Sequence, residues 1–288
     1  MLMLGFCALA PVGDALAKIL GARMGLGQLV LARFALQAAV LAPLAFVLGD
    51  GLRMSARAWR LTLVRTVLHV AAIWAFFLAL RALPLAEAVA IAYVMPFVLL
   101  LLGRFAYGEA VGPRRLAACG VGFLGTMLVV QPSFAEVGPA ALLPILVAAL
   151  FALFMVVTRT VSREVDPITL QAANGLTAVG LLVPLMIAGG ALGGVEFAPT
   201  AVSGRDWALL GLMGAAGTLG HLFMTWSLRF APSATVAPMQ YLEIPFATLV
   251  GFAVFGHLPN GLAALGIAVT IGAGLYVLHR ERAAGAGA

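Results

Sequence analysis

An all-α integral membrane protein, ten transmembrane helices arranged as two inverted five-helix repeats, is predicted by three observations. These are apolar runs of membrane-spanning length, a lopsided placement of arginines, and a repeat within the chain. The 288 residues are 63% hydrophobic and 10% charged, with mean hydropathy +1.10. A soluble domain carries about 25% charged residues. The apolar runs between charged clusters reach about 20 residues, enough to cross a bilayer as a helix. They are continuous, whereas a β-barrel would show short segments of alternating polarity.

Apolar length and loop punctuation place the spans at 2–20, 27–48, 61–81, 85–105, 114–131, 139–158, 168–189, 207–228, 233–255 and 261–279. The first run starts at Met1 and contains Asp14 and Lys18, so it reads as a retained span rather than a removed leader. The longest connection, about Gly190 to Asp206, is too short for a soluble domain. With the N-terminus in the cytoplasm, inside loops hold Arg53, Arg57, Arg60, Arg104, Arg114, Arg115, Arg159, Arg163, Arg229, Arg280 and Arg282. Outside loops hold only Arg23, Arg81 and Arg205. That positive-inside bias puts both termini in the cytoplasm of a bacterial-type inner membrane. It also accounts for the net charge of +6 without nucleic acid, since no basic soluble domain is present. Cys7 and Cys119 sit in apolar runs and read as small packing residues rather than a disulfide or metal pair.

The repeat is seen in LRALPLAEAVAIAYVMPF, Leu80 to Phe97, against LRFAPSATVAPMQYLEIPF, Leu228 to Phe246. Each has Leu-Arg, a proline three residues after the arginine, a tyrosine, then Pro-Phe. Gly108 and Gly256 each follow their Leu-Arg by 28 residues. LAPL at 41–44 pairs with LVPL at 182–185; at the same offset Lys18 pairs with Arg159, and Arg33 with Asn174. The repeats cover 1–131 and 139–279. Five spans is an odd number, so the second copy enters the membrane upside down. Inverted halves suit alternating access around a site at the midplane.

At this point the chain resembles the drug/metabolite transporter superfamily, EamA type. The resemblance rests on DALAKIL (Asp14 to Leu20), LARF (Leu31 to Phe34), ALRALPLAEAVAIAYVMPF (Ala79 to Phe97) and GEAVGPRRLAACGVGFLGTMLVV (Gly108 to Val130), and runs the whole chain. It implies ten helices, a central cavity and transport of small metabolites. The second copy departs from the pattern: His257 stands where Glu109 stands in the first.

The polar residues inside spans are the site candidates. Asp14 and Lys18, four apart, share a face in the favourable order for an ion pair. They are either a structural pair or part of the substrate route. Arg33 either joins them or snorkels to the surface. Arg65 and His69 share a face; Arg65 reads as snorkelling, His69 as deeper. Trp74 falls near mid-span, where an interfacial role fails and its N–H needs a partner. Span eight presents Gly214, Gly217, Thr218, His221 and Thr225 on one face, suited to close helix approach or to a cavity. Gln171 and Asn174 share a face of span seven. Glu87 reads as a charge near a helix start.

Tyr93–Pro96 and Tyr241–Pro245 lie near the middles of spans four and nine. Each proline frees a backbone carbonyl, tolerated at depth where it is buried or lines a cavity. Glu243 has no ionic partner within its own span, so its partner is another helix, a substrate ammonium or a proton.

The expectation is a transporter of a small polar metabolite, amino-acid-type export first. The alternative is uptake of S-adenosylmethionine or another nucleoside-like or vitamin-like compound. Trp74, Tyr93, His221, Gln240, Tyr241 and Glu243 are expected to bind substrate. Asp14, Lys18, His69 and Asn174 are expected at the cavity or gate, and Pro96 and Pro245 at helix breaks. No cofactor or metal is expected, and with no nucleotide-binding motif ATP is not expected to drive transport directly. An intramembrane enzyme is disfavoured because the serines lie in loops or at span ends and Asp14 has no second Asp. A channel is disfavoured by the scarcity of ionisable rings. A homodimer is allowed but not required.

Overall fold

The computed structural model describes residues 1–48, 51–108, 112–231, 236 and 239–285. Among them every regular element is helical. In chain order these are α1 (Leu2–Gly21), α2 (Leu26–Leu48), α3 (Ala56–Ala82), α4 (Leu85–Ala92), α5 (Met95–Tyr107) and α6 (Pro113–Val137). A short 3-10 turn (Gly138–Leu142) leads into α7 (Leu143–Ser162), followed by α8 (Pro167–Ala191), a turn at Val195–Phe197 and α9 (Gly204–Phe230). A turn at Gln240–Leu242 opens α10 (Glu243–Phe255), and α11 (Gly261–Gly285) ends the described chain.

Six of these stretches are long and apolar enough to cross a membrane unaided. Four shorter apolar stretches, Leu85–Leu99, Leu116–Val129, Gln240–Phe255 and Gly261–Tyr276, fall on the remaining expected spans. The protein is a multi-pass membrane protein. The starts differ from the sequence reading where a polar cap lies ahead of the apolar run. α3 begins at Ala56, not 61, because Ser55 Oγ accepts from the Ala58 N–H at 3.1 Å. Asp166 caps α8 by accepting from the Ile168 N–H at 2.8 Å, and Pro167 fills the first helical position. Ser203 caps α9 in the same way.

The fourth span is broken. α4 stops at Ala92 and α5 starts at Met95. Pro96 has no N–H to give the carbonyl of Ala92, and its ring crowds that carbonyl. The break therefore falls a residue or two before the proline. The ninth span repeats this: a 3-10 turn through Tyr241 gives way to α10 just before Pro245. α5 and α10 end at Gly108 and Gly256, both left-handed, with φ of 64° and 68°.

The most extensive helix contacts run between the two halves of the chain. α1 packs along α9, α3 along α7, α2 along α8 and α6 along α11. The α2–α8 crossing is close because Gly175 presents no side chain: a Cβ there would lie 2.9 Å from the Ala38 backbone nitrogen.

Two ends of the bundle are tied by polar contacts. At one, here the Arg81 end, Arg81 pairs with Glu196 at 2.6 Å and Arg23 with Asp206 at 3.2 Å. Glu196 also accepts from the Leu26 N–H at 3.0 Å. The opposite end, the termini end, holds the start of α1 and the end of α11; there Arg57 pairs with Glu164 at 2.6 Å and Arg229 with Asp166 at 3.7 Å.

Candidate functional site

A cavity of about 90 Å³ lies at the centre of the bundle, between α1, α2, α3, the α4–α5 break, α7, α9 and the start of α10. Phe6, Phe76, Phe77 and Phe151 form much of its wall. Five polar or ionisable side chains reach it: Asp14, Arg33, Tyr93, His221 and Glu243.

The two helix breaks meet here. Tyr93 closes α4 and Glu243 opens α10, and the Tyr93 hydroxyl donates to Glu243 Oε2 at 2.5 Å. Tyr93 is 3% exposed and Glu243 7%. The interhelical alternative for Glu243 is the one the structure contains. Tyr241 flanks the same junction, its ring 5.7 Å from that of Tyr93. Its hydroxyl faces Gly122 and is buried without a hydrogen-bond partner among the described residues. Gln240 points away from the cavity, its Nε2 3.1 Å from Met155 Sδ.

Asp14 faces Arg33 across the cavity, not Lys18. Lys18 instead reaches the last carbonyls of α3, donating to Leu80 O and, at 2.6 Å, to Leu83 O. The end of a helix offers unpaired carbonyls and a negative dipole, which together seat the ammonium. The expected Asp14–Lys18 pair is thus corrected. Arg33 does not snorkel: it is 4% exposed and lies over the Phe34 ring at 5.0 Å. Gly217 makes room for it, since a Cβ there would stand 3.0 Å from Arg33 Nε. Among the described residues Arg33 Nη1 has no hydrogen-bond partner.

Trp74 lies outside the lining; its ring packs on Phe197 of the α8–α9 connection at 5.4 Å. His69 lies just beyond the cavity, its ring 4.4 Å from that of His221. His69 Nδ1 is 3.3 Å from Asn174 Nδ2, and Asn174 Oδ1 accepts from Arg65 Nη1 at 2.7 Å. Arg65 is fully buried, so the snorkelling reading fails for it as well. Gln171 binds α8 to α9 through His221 O and Thr225 Oγ1, both at 2.9 Å. Glu109 lies outside the described residues. Sequence reasoning left Arg33 open and passed over the phenylalanine wall. Phe6 and Phe151 recur among apolar residues just as core phenylalanines do, so only the packing separates them.

Outside the spans, Glu196 is held below the usual carboxyl range, first by its hydrogen bond from Arg81 and then by the Leu26 N–H.

A family model for EamA-like transporters matches residues 1–131 and again 138–278. The chain belongs to the EamA-like transporter family. Its relatives within the wider drug/metabolite transporter group are named transporters. A "riboflavin transporter" of Rhizobium johnstonii is 35% identical over 225 residues, 77% of this chain and 71% of that protein. One of Brucella anthropi is 27% identical over 281 residues, 97% and 98% of the two chains. An "S-adenosylmethionine uptake transporter" of Rickettsia felis is 23% identical over 275 residues, 96% of this chain and 90% of that one. A crystal structure shares the fold with a TM-score of 0.70 at 22% identity, covering 94% of this chain and 93% of its own. The compounds in these names fit the vitamin-like or nucleoside-like alternative better than the amino-acid export first expected.

Proposed function

We propose that the protein is an inner-membrane uptake carrier for a flat heteroaromatic metabolite of the riboflavin kind, working by alternating access through the central cavity. The observation that carries this reading is the pair of riboflavin-transporter relatives, one of them aligned over nearly its full length. The cavity chemistry agrees. A ring system suits walls of Phe6, Phe76, Phe77 and Phe151. A ring carbonyl can accept from the unpartnered Arg33 Nη1, while Asp14 accepts a ring N–H. Tyr93, Glu243 and His221 complete the polar wall. Gln240 and Tyr241 support the junction that holds Glu243. Trp74, on the Phe197 contact, and Lys18, capping α3, act at the Arg81 end, and His69 and Asn174 at the opposite side of the cavity.

About 90 Å³ admits a few waters but is well below the roughly 300–1,000 Å³ of small-molecule sites. The helices therefore have to part for substrate, and ion pairs at both ends close the present conformation. Two inverted repeats provide the two arrangements. Exchanging the halves maps the α1–α9 packing onto α3–α7 and the broken fourth span onto the ninth, which supports that symmetry. The termini end is taken as cytoplasmic from its arginine excess.

A second reading, S-adenosylmethionine, is favoured by one feature: Asp14 and Glu243 beside Arg33 suit a ligand with both ammonium and carboxylate groups. Counterflow in proteoliposomes separates the two. Saturable exchange of labelled riboflavin, untouched by S-adenosylmethionine, is the expected result. The converse selects the second reading, and exchange of neither sinks both.

A further inference from the structure

α3 carries one stripe that joins two cavities. At its centre Ala72, Ile73 and Phe76 line the central cavity. At its start Ser55 and Ala58 line a second cavity of about 500 Å³ at the termini end, with Arg53, Glu164 and Asp166 around it. Between them lie Thr62, Arg65, Thr66 and His69, three or four apart and so on one face. All four are 0% exposed. A helix packed only for stability would place apolar residues on this face.

The stripe is not internally satisfied. Arg65 Nε donates to Thr158 Oγ1 and Nη1 to Asn174 Oδ1, each at 2.7 Å, and the guanidinium lies 4.5 Å from the Phe154 ring centre. Among the described residues Nη2 has no hydrogen-bond partner and no carboxylate pairs with this cation. Thr62 Oγ1, His69 Nε2 and His221 Nδ1 are also buried without hydrogen-bond partners among the described residues. A buried charge without a counter-charge is costly, and each unmet polar group adds to that cost. Such a cluster makes sense where another arrangement of the helices supplies the missing partner.

The partition between the central cavity and this cluster is thin. It consists of the His69–His221 contact and Phe154, whose ring stands 4.4 Å from that of His69 and 6.0 Å from that of His221. On its cavity side Arg33 Nη1 is likewise buried without a hydrogen-bond partner among the described residues.

We propose that Arg65 is a second substrate station, accepting an oxygen of the substrate, carbonyl or carboxylate, as it passes from the central cavity to the cavity at the termini end. The His69–His221–Phe154 partition parts for this step, and the oxygen moves from Arg33 to Arg65. The inference rests on the transport reading above for its direction, but not for the existence of the station.

The test is Thr62→Cys in a Cys7→Ala, Cys119→Ala background, a near-isosteric change beside Arg65. It is treated with a negatively charged sulfonate methanethiosulfonate and with a positively charged trimethylammonium analogue. The expected result is modification by both, about tenfold or more faster for the anionic reagent relative to the same reagents on a free thiol. That preference disappears when Arg65→Gln is added; where Arg65→Gln does not fold, Arg65→Lys is expected to keep it. A thiol inert to both reagents, or modified with no charge preference, overturns the station and leaves Arg65 a structural cation. In flux assays Arg65→Gln should lose about tenfold in rate while riboflavin binding to the purified protein stays within about twofold. S-Adenosylmethionine as the probe separates a carboxylate from a carbonyl at the station. Charge-selective labelling without flux of either compound would sink the proposed substrates and leave the station standing.

Discussion

Tyr93→Phe removes the hydroxyl that Glu243 receives across the two helix breaks, and changes little else in shape. Both groups are buried, at 3% and 7% exposure, and the contact is 2.5 Å. A hydrogen bond to a carboxylate contributes about 1.5–3 kcal/mol, and a buried acceptor left unmet is penalised by a similar amount. Tyr93→Phe should therefore destabilise by about 2 kcal/mol, a fall in melting temperature of roughly 4–8 °C by the scaling of soluble domains. In a Glu243→Gln background the same change should cost about 1 kcal/mol or less, because the neutral amide tolerates the loss. The coupling between the sites is then about 1 kcal/mol or more. The assay is thermal unfolding of the four purified proteins in one detergent, with flux of S-adenosylmethionine and riboflavin alongside. Glu243→Gln alone should keep the fold, or firm it slightly, while lowering flux of a cationic substrate about tenfold. Glu87→Gln, in the first turn of α4, is the control. Additive melting shifts would refute the reasoning: the contact would then be geometric proximity without energetic coupling.

Gly175→Ala places a Cβ 2.9 Å from the Ala38 nitrogen, a backbone atom that cannot swing away, and should destabilise by about 1–3 kcal/mol in the same melting assay. Arg81→Gln removes the half-exposed pair with Glu196 and should cost at most about 1 kcal/mol at neutral pH. Because Glu196 titrates below its ordinary value of 4.5, that contribution is present above it and lost as pH falls through the lowered value; melting against pH should show the mutant and the parent converging in acid. Cysteines at Gly193 and Asn260 should react with an impermeant thiol reagent from outside cells, and cysteines at Ser55 and Ser162 should not; the reverse pattern would invert the proposed orientation.

The spans were legible because length and hydropathy are local properties. The caps were legible only in hindsight: Ser55, Asp166 and Ser203 stand ahead of the apolar runs, where a hydropathy window does not look. The breaks near Pro96 and Pro245 fall within a residue or two of their prolines, but proline alone does not make a break: Pro11, Pro43 and Pro184 sit inside the unbroken α1, α2 and α8. Which way a charge points could not be read. Arg65 was assigned by depth and Arg33 was left open, because depth does not say which face of the helix looks inward. The signal for Arg65 was present in its neighbours: Thr62, Thr66 and His69 at helical spacing make a polar stripe that snorkelling does not need. The partners of Lys18 could not be read because the acceptors it uses, the end carbonyls of α3, are distant in sequence. Trp74 depends on Phe197, whose position is set by a loop with no periodicity to read.

The packing of α1 on α9 and α3 on α7 has a bearing on biogenesis. As a ribosome delivers the chain, the first half enters the bilayer with its principal docking faces still waiting for helices not yet made. Insertion can proceed span by span, but consolidation has to wait for residues beyond 138. A chain severed near Gly138 should yield two inserted pieces that are each labile to membrane proteases and mutually protective when produced together. The division visible in the sequence would then be a seam of ancestry, not of folding.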